Sequence, residues 1–255
     1  MTEAQKSFGK LLEIMDELRV KCPWDQKQTI DSLRHLTIEE TYELADSILD
    51  GDMNNIRKEL GDILLHIVFY ARIASESNDF DIKDVIDGLC EKLIFRHPHV
   101  FGDTSVQDEE DVKSNWEKLK IKEGNKSILA GVPKSLPAVV KANRIQDKVR
   151  AVGFDWEQPE QVWDKVTEEL DELKEEISKS DKDKMEAEFG DLLFSIVNAA
   201  RLYNIDPEAA LERTNKKFIK RFNYLEEKTL KVGRPLTEMS LDEMNEIWEQ
   251  AKENE

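Results

Sequence analysis

Lys165 to Arg201 reads KVTEELDELKEEISKSDKDKMEAEFGDLLFSIVNAAR, and this stretch decides how the rest of the chain is read. Glu168, Glu169 and Glu172 stand at the three- and four-residue spacings that put side chains on one face of a helix. Glu188 and Asp191 repeat the three-residue step on a second segment. There Met185, Phe189, Leu192, Leu193, Ile196, Val197 and Ala200 recur with the period of a buried helix face. The polar SKSDKD between the two groups predicts a turn joining antiparallel helices. Closing that hairpin brings the acids together across an apolar seam. Two like charges about 4 Å apart at an effective dielectric of about 20 repel by roughly 4 kcal/mol, so such a cluster calls for protons or a cation. Hard oxygen ligands select a hard cation, and Mg²⁺ takes a few carboxylates while leaving other positions to water and phosphates.

In a chain with 55 acidic residues, one Glu-Glu-x-x-Glu run is ordinarily a solvated helix face. An internal repeat argues against that reading here. Glu39, Glu40, Glu43, Glu59 and Asp62 reproduce the same five acids, each 129 positions earlier. Ile56, Leu60, Ile63, Leu64, Ile67, Val68 and Ala71 reproduce the apolar positions in the same register, and Arg72 matches Arg201. A solvated face needs no such register; a preserved site does.

Length and composition agree with two repeated domains. The chain has 255 residues, 39% apolar and 36% charged, with only 10 Gly and 7 Pro to interrupt its helix-forming Glu, Lys and Leu. An all-α protein of two tandem helical bundles is expected, spanning 1–122 and 138–255, with EGNKSILAGVPKSLP at 123–137 as the linker. A net charge of −18 argues against a nucleic-acid polymer as partner, although a small phosphorylated ligand arriving with Mg²⁺ remains compatible. Cys22 and Cys90 are too few for a disulfide framework or thiol-rich zinc site. No secretory signal and no membrane-spanning run is read, so the expectation is a cytoplasmic protein with no membrane partner.

Along the chain, a helix is expected over Ser7 to Arg19, ending before Pro23. Trp24 in the following turn reads as a core plug, with ligand stacking as the alternative. Thr37 and Glu40 resemble a capping box at or near the start of the first carboxylate helix, which is expected to run to about Leu49. Further helices are expected from Asn54 to Ser75, Ile82 to Arg96, Val112 to Lys122, Ala138 to Val149, Pro207 to Lys228 and Leu241 to Lys252. His97 and His99 follow a helix end and have no third ligand at helical spacing, which weighs against a metal site there. Lys92 and Arg96 precede Lys217 and Arg221 by 125 positions, and Trp116 precedes Trp248 by 132. Acids, a Lys/Arg pair and a tryptophan, in that order, fit a metal site, a phosphate clamp and a surface for a base. Exposed charge and helix packing are the plainer readings of the last two.

Taken together, CPWD at Cys22 to Asp25, EETYE at Glu39 to Glu43, ELGDILLH at Glu59 to His66, RHPHVFGD at Arg96 to Asp103, VGFDW at Val152 to Trp156, EELDE at Glu168 to Glu172 and EFGDLLF at Glu188 to Phe194 resemble the MazG-type nucleoside triphosphate pyrophosphohydrolases in their two-domain form. The resemblance covers almost the whole chain. It implies an all-α bundle that forms homodimers and cleaves ATP and other nucleoside triphosphates, ribo and deoxy, between the α- and β-phosphates, with Mg²⁺ or, as a substitute, Mn²⁺. It further implies Glu169, Glu172, Glu188 and Asp191 as metal ligands and Lys165, Glu168, Lys184, Lys217, Arg221 and Trp248 as nucleotide contacts, with the second half as the active one. Glu168, not needed as a ligand, is the residue we assign as general base. Glu40, Glu43, Glu59 and Asp62 then form a second, weaker cation site, because Leu36 and Asn55 stand where the second half has Lys165 and Lys184. No Gly-rich phosphate loop is present. Two other classes compete: a di-iron bundle, disfavoured because Asp62 and Asp191 stand where Glu-x-x-His needs histidine, and a non-catalytic acidic scaffold or nucleotide-sensing regulator.

Overall fold

In the computed structural model, which describes residues 1–108, 111, 112, 115, 116, 119 and 127–254, the regular elements of the described residues are all helical. Two compact units, Met1–Gln107 and Asp108–Glu255, divide the chain. The helix expected over Val112 to Lys122 and the start of the expected linker fall largely outside the described residues.

The first unit contains α1 (Glu3–Lys21), α2 (Ile30–Asp50), α3 (Met53–Glu76), α4 (Ile82–Arg96) and the short α5 (Pro98–Phe101). Helix α2 starts at a capping box in which Thr29 and Ser32 satisfy each other's backbone N–H. This corrects the start expected at or near Thr37, which lies mid-helix. Its hydroxyl donates to the Leu33 carbonyl, 3.1 Å away, and lies 3.0 Å from Nδ1 of His66 and 2.6 Å from the Tyr70 hydroxyl. A half-buried threonine facing a neighbouring helix can satisfy itself this way, so a Thr-x-x-Glu pattern alone does not mark a helix end. Gly51 closes α2 in the left-handed conformation, φ +68°, and Asp52 caps α3, so only two residues separate the helices. The core gathers Met15, Leu33, Val68 and Phe69, with Leu12, Leu36, Leu65 and Ile73 packed around them. Each such side chain, if fully buried, stabilises by roughly 1.5–3 kcal/mol. Trp24 is no core plug: it is 54% exposed, while its neighbour Asp25 is buried against α1.

The second unit contains α6 (Ala138–Arg150), α7 (Gln161–Lys179), α8 (Lys182–Leu202), α9 (Pro207–Val232) and α10 (Leu241–Glu253). Its hairpin turn, Ser180-Asp181, is again two residues long, with Asp181 capping α8. Most of the polar SKSDKD run is thus helix. Val162, Leu173, Val197, Ala199, Leu225 and Ala251 are buried. The buried Arg201 holds Asp155 with both guanidinium NH groups, and its Nε donates to Asn198 at 3.0 Å.

The apolar stripe read as buried is covered on one side only. Val197, Val68 and Ala71 are inside, but Leu193 is 61% exposed, and Phe189, Ile196, Leu60, Leu64 and Ile67 are exposed as well. A two-helix hairpin hides one flank of each helix, and this stripe is wider than that flank. No helix of the described residues is long and apolar enough to cross a membrane.

Candidate active site

The two-residue turn fixes the register of α7 against α8. Carboxylate oxygens of Glu169, Glu172 and Glu188 consequently converge within 4.8 Å of one another. Glu169 is buried, Glu188 half-buried and Glu172 exposed, so the group sits at the rim of the seam, open to solvent on one side. Burial pushes the Glu188 carboxyl above the usual carboxylate range, and the charges of Glu172, Asp191, Glu169 and Glu176 push it further. Asp191 is thus close enough to act on the group by charge, from an exposed position on α8. Oxygen Oε2 of Glu188 is buried and makes no hydrogen bond.

Lys165, one turn before Glu169, reaches into the cluster. Its ammonium lies 2.6 Å from Glu169 and 2.9 Å from Glu168, and those two hydrogen bonds hold it well above the ordinary lysine range. Glu168 and Lys165 therefore meet each other at the edge of the acids. The site also contains a carboxylate that the sequence reading passed over. Glu176, one turn beyond Glu172, lies across from Lys184, 4.0 Å away, and takes Lys179 at 2.7 Å. Its four-residue spacing from Glu172 was the available signal.

In the first unit, Glu40, Glu43 and Glu59 converge in the same way, again within 4.8 Å, with Glu59 buried. Burial raises the Glu40 carboxyl, followed by the charges of Asp62, Glu43 and Glu59. Leu36 and Asn55 leave this cluster without counterparts of Lys165 and Lys184, but it has a lysine of its own: Lys58, where the second half has Ala187, lies 3.1 Å from Glu59. Behind the acids, Thr37, His66 and Tyr70 form a hydrogen-bonded group where the second half has Val166, Ser195 and Ala199.

The remaining residues expected at the nucleotide lie on α8, α9 and α10. Lys184 is exposed on the first turn of α8, and its backbone N–H donates to Asp181. On α9, Lys217 is exposed, and Arg221 lies over the Trp248 ring at 5.8 Å, which Phe218 also meets at 4.9 Å between centroids. Trp248 therefore joins α10 to α9 while remaining partly open. Of the two histidines, His97 bonds the Leu93 carbonyl at 2.6 Å through Nδ1.

The donor set fits a hard divalent cation. Oxygens bound to one Mg²⁺ at about 2.1 Å are at most about 4.2 Å apart, so small side-chain rotations bring Glu169, Glu172 and Glu188 onto one ion. The unmatched Glu188 oxygen is the kind of buried acceptor that such an ion satisfies.

A helical hairpin that turns carboxylates from two helices onto one point, beside a lysine, suits the class of all-helical enzymes acting on phosphoanhydrides. The chain belongs to one such family: the MazG nucleotide pyrophosphohydrolase domain matches residues 28–101 and 157–225, one segment over each hairpin. It is 46% identical to the nucleoside triphosphate pyrophosphohydrolase/pyrophosphatase MazG of Thermotoga maritima, over 99% of this chain and 98% of that one. It is 42% identical to the nucleoside triphosphate pyrophosphohydrolase of Escherichia coli K12, over 97% and 98%. The uncharacterized protein YabN of Bacillus subtilis is 47% identical over 97% of this chain and 52% of its own length. The chain is accordingly an enzyme, a nucleotide pyrophosphohydrolase.

Proposed function

We propose that this chain hydrolyses nucleoside triphosphates, ATP and other ribo- and deoxyribonucleotides among them, at the α–β anhydride to give a monophosphate and pyrophosphate, and that the second unit does so with Mg²⁺ held by Glu169, Glu172, Glu188 and Asp191. The observation that carries this reading is the convergence of acids from α7 and α8 on one point, with a buried Glu188 oxygen left unmatched. When bound there, the ion supplies the positive charge that activates water and offsets charge on the phosphates. Glu168, at the rim and hydrogen-bonded to Lys165, accepts the proton of the attacking water. Lys165 and Lys184 bind phosphate oxygens from the two sides of the acid group. Lys217 and Arg221 form a further clamp, and Trp248 offers its open face to the base.

The first unit, with the same acids and Lys58 among them, serves regulation or subunit contacts in this reading. The exposed apolar residues of the two hairpins, such as Phe189, Leu193, Leu60 and Ile67, support a symmetric homodimer. Sedimentation at micromolar concentration showing only a 29.6 kDa species would remove that part.

Product analysis across a panel of triphosphates with Mg²⁺ tests the reaction. Monophosphate and pyrophosphate are expected, lost in chelator and restored by Mg²⁺ or Mn²⁺. Diphosphate and orthophosphate as main products would overturn it.

A further inference from the structure

One step nearer the hairpin turn than Glu172 and Glu188, the second unit holds a group of charges that the metal site does not use. Glu176 is buried to all but 12% of its side chain, and its Oε2 makes no hydrogen bond. Lys179 lies 2.7 Å from both Glu175 and Glu176. Lys184 stands 4.0 Å from that unmatched Oε2 and 3.8 Å from Asp181, on a side chain that is mostly exposed. A buried acceptor left unmatched is unfavourable, and the donor able to match it is held just out of hydrogen-bond range. Lys184 is therefore placed to move between Glu176 and an anion. The first unit has Ser47, Asp50 and Asn55 at the equivalent positions, so both lysines and the buried acid belong to the second unit alone.

We propose that Glu176 is a positioning residue that keeps Lys179 and Lys184 together as a receiving step for the terminal phosphates, so that the substrate lies along the hairpin with its pyrophosphate end towards the turn. One helical turn is about 5.4 Å, which sets this step beyond the Glu172–Glu188 pair by a distance that a triphosphate spans. Without a carboxylate between them, two ammonium groups at the end of the hairpin repel each other and turn outwards into water. The inference rests on the second unit being the one that binds substrate.

The test compares the full chain with Glu176→Gln and Glu176→Asp, measuring Mg²⁺–pyrophosphate and nucleoside monophosphate binding by calorimetry, kinetics, and Tm. Glu176→Gln is expected to weaken pyrophosphate binding about tenfold, equal to ~1.4 kcal/mol. It should raise KM for the triphosphate by a similar factor, leaving kcat within about twofold and monophosphate binding unchanged. Glu176→Asp should recover most of the loss. A purely structural role would lower Tm and weaken both ligands together. If the wild type turns over and pyrophosphate binding is unmoved, or monophosphate binding alone weakens, the inference fails while the proposed reaction stands. A wild type that releases no monophosphate removes the reaction itself.

Discussion

The two hairpins carry the same five acids in the same register and differ in where a lysine enters. In the first unit Lys58 comes from α3 and pairs with Glu59, and Glu40 on the opposite helix is the carboxyl raised above its usual range. In the second unit Lys165 comes from α7 and pairs with Glu169, the equivalent of Glu40, and Glu188, the equivalent of Glu59, is the one raised. In each unit the lysine pairs with the buried acid, and the carboxyl raised by its own burial and by the neighbouring acids is the half-buried one on the facing helix. An acid cluster is therefore incompletely described by its acids: the helix that supplies the cation differs between the units, while the buried oxygen without a hydrogen bond is the equivalent one in both, Oε2 of Glu59 and of Glu188. The second unit also has Lys184 and Glu176 at its turn where the first has Asn55 and Ser47.

The comparison breaks first if the wrong unit carries turnover. Asp191→Asn or Glu172→Gln should lower hydrolysis by about a hundredfold or more, since even partners behind metal ligands are worth roughly 10–100-fold. Asp62→Asn or Glu43→Gln should leave activity within about twofold. Steady-state rates with Mg²⁺ read this, and first-unit variants that are dead, or losses of about half from either unit, would reverse the assignment. Next in size is Lys165→Leu, which gives the second unit the first unit's residue. Removing one charge-assisted contact of roughly 1.5–3 kcal/mol should raise KM by at least about tenfold, and a KM that stays put would remove Lys165 from the nucleotide.

A titration sharpens the same contrast. Because burial and neighbouring acids raise Glu188, it keeps its proton to a higher pH than an ordinary carboxylate. Cation affinity should therefore fall, by up to about tenfold per pH unit, as pH drops through that raised value. Without cation the sign is opposite for stability: a raised carboxyl contributes fully below its unfolded value and loses that contribution as pH rises through the folded one. Carbon-13 NMR of the carboxyls should find Glu188 and Glu40 titrating high, and Lys58→Ala should raise Glu40 further, since Lys58 opposes its shift, while leaving Glu188 in place. An unmoved Glu40 would sever Lys58 from the cluster. The smallest effect concerns the turns. Ser180 adopts φ +59° where the first unit has Gly51 at φ +68°. Ser180→Gly should stabilise the second unit by roughly 1 kcal/mol, seen as a rise of a few degrees in Tm. No gain would mean that Ser180 carries no left-handed strain.

Much of this was legible because helix periodicity and a two-residue turn tie sequence spacing to position in space. Acids three and four residues apart on two helices, separated by a short polar break, have few other ways to close. The repeat supplied the second view. Thr37 misled because its hydroxyl had two rival uses, capping a helix end or bonding a neighbouring helix, and only the partner helix with His66 and Tyr70 distinguishes them. Trp24 misled because an aromatic in a turn was read as buried, whereas the turn buries Asp25 instead.

By itself, then, the sequence determined the all-helical class, the internal repeat, the α7–α8 hairpin and the identity of the acids, since these follow from local periodicity and from one short turn. Only the tertiary structure decided which lysine enters each cluster, which carboxylate is left unmatched, that Glu176 belongs beside Lys184, and how much of the apolar stripe stays open. Those depend on side chains meeting across a seam, where burial and charge at a few ångströms set the outcome and spacing along the chain does not.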